Sequence, residues 1–208
     1  MCRRQVILEL WKTIAPAVQI ATGVDAGKLG FARGDKIAQK KLSPQYEPLA
    51  SALANFGIEN VEIYVSAARP GVARALAAET PVLCLGADVA AAKTPQQRWL
   101  LGRAVATLAE GLATLVDLRD AELGWTLVAA IRASEVIVPP KLADEAAGED
   151  ATIADRTKIL KKELGRKQRS AVAQLVGARG GELVDLAAFR HQALAVGHRA
   201  GLLWSGDL

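Results

Sequence analysis

Apolar positions recur at helical spacing over both ends of the chain and alternate, or run together, in a short central stretch. Val6, Ile7, Leu10, Trp11, Ile14 and Val18 predict a first helix over 6–20, which Pro16 kinks or closes early. Thr22 to Gly34 holds four glycines and reads as a loop. Ser43-Pro44 opens a second helix, with Glu47 in its first turn and Gly57 ending it after Phe56. Val61, Ile63 and Val65 then alternate with Glu62, Tyr64 and Ser66, the pattern of a half-buried strand. Pro81 to Gly86 is a wholly apolar strand closed by glycine, and the segment between the two, Val72 to Ala78, has helical propensity.

The clearest helix follows. Thr94 and Gln97 have capping-box spacing, Pro95 suits the first turn, and Leu100, Leu101, Ala104, Val105, Leu108, Leu112 and Leu115 mark a buried stripe. Asp120 and Glu122 open another helix carrying Leu123, Leu127, Ala130 and Ile131, and Pro139-Pro140 closes that unit. Asp144 to Asp150 reads as an acidic loop, and Gly177, Gly180 and Gly181 break the chain again. The last helix starts near Leu183, with Asp185 close to its N-terminus, and ends around Leu203.

Composition narrows the class. Apolar residues make up 51% of the 208 positions but aromatics only 4%, so the core is built of Ala, Leu and Val, which favours helix over sheet. A chain of this length buries roughly 70% of its unfolded surface as one substantial domain. The expected class is α+β, predominantly helical. No apolar run reaches the ~18 residues of a membrane span, and Glu9, Lys12 and Pro16 interrupt the start too often for a secretory signal. Cys2 and Cys84 are the only cysteines, which points to a reducing, cytoplasmic setting, with Cys84 a small buried hydrophobe in Val82-Leu83-Cys84-Leu85.

Charge is concentrated. Residues 151–170 carry seven basic and two acidic side chains, a net +5 against +4 for the whole chain. Lys158, Lys161, Lys162, Arg166, Lys167 and Arg169 read as the basic face of one helix. Such a face could release counterions from a nucleic acid, yet it has neither interleaved aromatics nor a helix-turn-helix outline, and a solvated face is the simpler reading. His191 and His198, seven residues apart, fall on one helical face. Asp185 and Asp207 are the nearest third ligands by sequence, and their spacing matches no familiar zinc set.

Two segments carry a family resemblance. Leu101-Gly102 followed by Arg103-Ala104-Val105-Ala106-Thr107 aligns with the helix that bears H-E-x-x-H in gluzincin metallopeptidases. Ala195 to Leu208, AVGHRAGLLWSGDL, resembles the A-D-R-A-G-L-L…G-D segment of the CAAX-prenyl endopeptidase type. The strands at Val61–Val65 and Pro81–Leu85 stand where that family places strands before its metal helix. The resemblance covers about residues 58–208 and is closest to the inactive peptidase-like domains that follow tetratricopeptide repeats in some bacterial proteins.

The resemblance implies a zincin-like helical core with a two- or three-stranded sheet, the middle strand lying within 72–78. Residues 1–57 would then form a helical segment packed on a 58–208 domain, whether free-standing or part of a longer chain. Arg103 and Thr107 occupy the histidine positions, Ala104 the glutamate position, Leu194 that of the third ligand and His198 that of the nearby aspartate. The expectation is therefore a pseudoenzyme without zinc or another cofactor, acting as a protein–protein interaction or scaffold module with no membrane partner. A basic nucleic-acid- or anion-binding protein is the alternative. The resemblance also implies that the two helices meet, with Arg103 near His198 and held by a carboxylate or carbonyl. The Leu101–Leu112 stripe would pack on the terminal helix around Ala195 and Leu202.

Overall fold

A computed structural model describes residues 3–206, so Cys2 and Asp207 lie outside the described residues. In chain order the elements are α1 (Arg3–Thr22), β1 (Lys36–Ile37), α2 (Glu47–Asn55), β2 (Glu62–Ser66), β3 (Ala73–Leu76), β4 (Val82–Gly86), α3 (Ala87–Ala91), α4 (Pro95–Ala109), α5 (Asp120–Ala133), α6 (Pro140–Glu145), α7 (Asp150–Glu163), α8 (Arg166–Arg179) and α9 (Leu186–Ser205). The fold is α+β and predominantly helical. No helix among the described residues is long and apolar enough to cross a membrane.

Contacts group the chain into two compact units, 1–23 with 115–192 and 24–114 with 193–208. No division falls at residue 57: α1 belongs to the first unit, while α2 shares the second with the sheet.

The first unit is helical. α7 packs on α5 and α1, and α8 on α1 and α5, around Ile7, Leu10, Trp11, Ile14, Leu123, Leu127, Ile131, Ile153, Leu160 and Val172. Pro16 lies inside α1 without ending it, since the buried residues on either side hold both turns in place. Three further features differ from the sequence reading. Pro140 starts α6 rather than ending a unit, because proline's fixed φ suits a first helical turn. The acidic stretch 144–150 contains the end of α6 and the start of α7. The basic run is two helices, broken where Leu164 turns to an extended conformation (ψ 112°) and buries its side chain.

Electrostatics in this unit concentrate on Glu122. One carboxylate oxygen accepts from the Arg119 backbone N–H at 2.9 Å, and the other meets the guanidinium groups of Arg119 (3.1 Å) and Arg156 (3.4 Å). The Arg119 side-chain bond, followed by its backbone bond, holds the Glu122 carboxyl below its usual range. A lowered folded-state value stabilises the fold above the ordinary glutamate value of about 4.3, and that gain disappears as pH falls through the lowered value. Glu122→Ala should cost about 1–2 kcal/mol near neutral pH. In urea melts taken from neutral pH down to acid, its deficit relative to the unsubstituted chain should narrow; a constant deficit would contradict the ionic account.

The second unit holds the sheet, in order β1-β2-β4-β3. β2 and β4 pair in parallel with Ile63 opposite Leu83, while β3 runs antiparallel to β4 and β1 antiparallel to β2. Four strands thus replace the expected two or three. The middle segment is a strand, and the addition is the two-residue β1. One face of the sheet buries Ile63, Val65, Leu83 and Leu85 against α2, α3 and α4. The other lies under the 24–31 loop, where Phe31 and Leu76 enclose Cys84.

Candidate functional site

α4 forms as its sequence dictates. Thr94 accepts from the Gln97 backbone N–H (3.3 Å), and the Gln97 side-chain oxygen accepts from the Thr94 N–H (3.0 Å), so the capping box is closed. Leu101, Ala104, Val105 and Leu108 enter the core cluster that also holds Leu83 and Leu85. The leucine stripe is therefore buried against the sheet rather than against the terminal helix, and Leu202 is 45% exposed. The reason is angular. α9 presents Ala193, Gly197, Gly201 and Ser205, all buried and spaced by four, which is a different face from the one bearing Leu202.

The two helices approach at their glycines. A Cβ on Gly102 would lie 2.5 Å from the Trp204 Cβ, and one on Gly197 would lie 2.9 Å from the Thr107 Cγ2. At Gly201 it would be 2.8 Å from the backbone oxygen of Trp99, a contact no rotamer can relieve. Trp204 also tilts against Phe56, with centroids 6.4 Å apart. This G-x-x-x-G crossing allows backbones to come closer than side-chain packing permits. Its spacing was visible in the sequence at Gly197-His-Arg-Ala-Gly201, and the sequence reading missed it.

Arg103, Thr107 and His198 do gather at this crossing, organised by Trp99. The Arg103 guanidinium carbon lies 5.4 Å from the Trp99 ring centre, and the His198 ring is 5.5 Å from it. The expected carboxylate or carbonyl for Arg103 is replaced by an aromatic face. The α9 positions around it, Leu194, Gly197, His198 and Gly201, supply no carboxylate, and a half-exposed cation keeps part of its hydration. Thr107 donates its hydroxyl back to the helix, near the carbonyl oxygens of Ala104 (2.9 Å) and Arg103 (3.0 Å). Ala104 packs in the sheet core, and Leu194 is half-buried hydrocarbon.

A divalent zinc does not fit this set. Arg103, Ala104 and Leu194 offer no lone pair, a neutral buried threonine hydroxyl is a poor zinc ligand, and the His198 imidazole is left as a single ordinary donor where a zinc site needs three or four. Among the described residues no three His, Cys, Asp or Glu side chains gather as a metal site. His191 is exposed, and its nearest carboxylate is Asp120 at 3.9 Å, not Asp185. Asp185 takes a left-handed φ of 62° just before α9, whose first amides are capped by Glu145. Burial pushes the Cys84 thiol up to about 12, so it carries no thiolate at neutral pH.

The basic residues lie on both sides of the α7–α8 corner. Lys158 pairs with Asp155 at 3.2 Å and Lys161 with Glu135 at 3.0 Å; the Lys161 bond chiefly lowers the Glu135 carboxyl. Lys162, Arg166 and Lys167 are exposed, and no ion pair is found for them among the described residues. Arg169 is half-buried within the field of Glu135. No family model matches the sequence, and neither a curated protein nor a solved structure matches it significantly.

Proposed function

We propose that this chain is a non-catalytic, peptidase-like domain that serves as a protein–protein interaction module. The observation that carries the reading is the α4–α9 crossing. The residues aligned with a metallopeptidase's ligands, Arg103 and Thr107, face α9 there, but the space is taken by helix–helix contact and by the Trp99 stack. Zinc hydrolysis needs ligands, an open coordination position and a general base. Substitution at all of these positions removes the mechanism as a whole rather than slowing it.

The test is reconstruction. Arg103→His, Ala104→Glu, Thr107→His and Leu194→Glu introduced together should give a folded protein, checked by circular dichroism, that binds zinc in a competition titration. If the fourfold variant folds and takes up no zinc, the aligned positions do not converge and the peptidase-like reading falls. Lys162, Arg166 and Lys167 near the α7–α8 corner, exposed and without an ion pair among the described residues, favour a second reading, a basic protein that binds anions or nucleic acid. It predicts salt-dependent capture of duplex DNA that disappears on charge reversal.

A further inference from the structure

Building on the interaction-module reading, we propose that the α7–α8 corner is the docking surface for an acidic, amphipathic protein segment. The corner is held by fixed contacts, while Lys162, Arg166 and Lys167 are exposed and form no ion pair among the described residues. Leu164 is buried to 2% exposure at the turn. The Gln168 side-chain oxygen accepts from the Gly165 N–H at 2.9 Å, and its amide nitrogen donates to the Thr13 carbonyl at 3.1 Å, tying α8 to α1. Lys162 on one side, with Arg166 and Lys167 on the other, extends from this scaffold without an ion pair among the described residues. Their exposure leaves them available to carboxylates from outside the corner.

Two observations select a protein carboxylate over a phosphate backbone. Ile159 is 42% exposed and lies on the outward face of α7 beside Lys158 and Lys162. Hydrocarbon set among cations matches a segment that interleaves acidic and apolar side chains, whereas a phosphate chain gains nothing from it. Residues 150–179 contain no aromatic on which a base could stack. Glu135 on Lys161 and Asp155 on Lys158 already show the pairing in miniature, carboxylate to lysine at 3.0 and 3.2 Å. The incoming segment would extend that pairing to Lys162, Arg166 and Lys167, with charge guiding encounter and Ile159 contributing dry contact.

The test uses the full chain and a fluorescein-labelled peptide of repeated Glu-Glu-Leu-Leu, read by anisotropy. The control is the same peptide with glutamine for glutamate. Binding should exceed the control, weaken with salt, and fall roughly tenfold when Lys162, Arg166 and Lys167 are all changed to Glu. Ile159→Ser should weaken the peptide about threefold and leave duplex DNA binding unchanged. Equal binding of the control peptide, or indifference to the triple reversal in a variant with native circular dichroism, would overturn the proposal. So would tighter, reversal-sensitive binding of duplex DNA or of phosphatidylserine vesicles, either of which would mark a phosphate surface. These readouts are independent of zinc, so a chain that bound metal and still held the peptide at this corner would lose the pseudoenzyme reading alone.

Discussion

Gly201→Val is expected to destabilise the sheet-bearing unit by about 3 kcal/mol, because the added Cβ meets a carbonyl. The clash with the Trp99 backbone oxygen, at 2.8 Å, can be relieved only by moving α9 off α4. Gly197→Ala provides the internal scale. There the nearest atom is the Thr107 Cγ2 at 2.9 Å, a methyl on a β-branched side chain whose hydroxyl bonds the Ala104 and Arg103 carbonyls, so it must shift without rotating away. The better helix propensity of alanine, worth about 0.8–1 kcal/mol, offsets part of that cost, so Gly197→Ala should lose less than Gly201→Val. A Cβ on Gly177 of α8 would meet nothing, so Gly177→Ala should stabilise its own helix by ~0.5–1 kcal/mol. Urea unfolding followed by circular dichroism, with hydrogen exchange of the β2 and β4 amides as the local readout, ranks the three. Equal effects at Gly201 and Gly197 would mean that the helices do not cross where their glycines lie.

Leu101→Ala should cost about 2–5 kcal/mol, the range for emptying a fully buried leucine site. Leu101 is 0% exposed and shares a cluster with Leu83, Leu85 and Val105, so backbone on two sides limits collapse into the void. Hydrogen exchange should accelerate most in β4, which pairs with both β2 and β3. A loss under about 0.5 kcal/mol, typical of surface sites, would place Leu101 outside the core.

The contrast between these residues explains what could be read from the sequence. α4 was legible because its cap, first-turn proline and apolar period all agree, and the marked residues Leu101, Ala104, Val105, Leu108 and Leu112 are all buried, although the helix itself ends at Ala109. The residue pattern alone hid β3, since Ala73-Arg-Ala-Leu76 prefers helix and becomes a strand by pairing with β4; the strand within 72–78 was expected only from the family resemblance. The sequence reading also missed the α7–α8 break. The basic run contains no proline, but Gly165 interrupts it and N-caps α8, with the Gln168 side chain accepting from the Gly165 N–H, while Leu164 beside it is buried.

At the crossing, alignment with a peptidase helix drew attention to Arg103 and Thr107, which do face α9. Trp99 drew none, although it receives both Arg103 and His198. An aligned motif marks positions where ligands would stand and is silent about the residue that fills the space between them. The direction of α9's contact face was likewise readable in its small residues at spacing four, a stronger guide than the apolar Leu202 and Leu203, which are 45% and 68% exposed.

Metal content of the unsubstituted protein tests the central claim most directly. After dialysis against a chelator and re-equilibration with excess zinc, then gel filtration, elemental analysis should find far less than about one zinc per chain, since no donor set gathers among the described residues. About one zinc per chain, lost on His198→Ala, would contradict the account and place a working metal centre at the α4–α9 crossing.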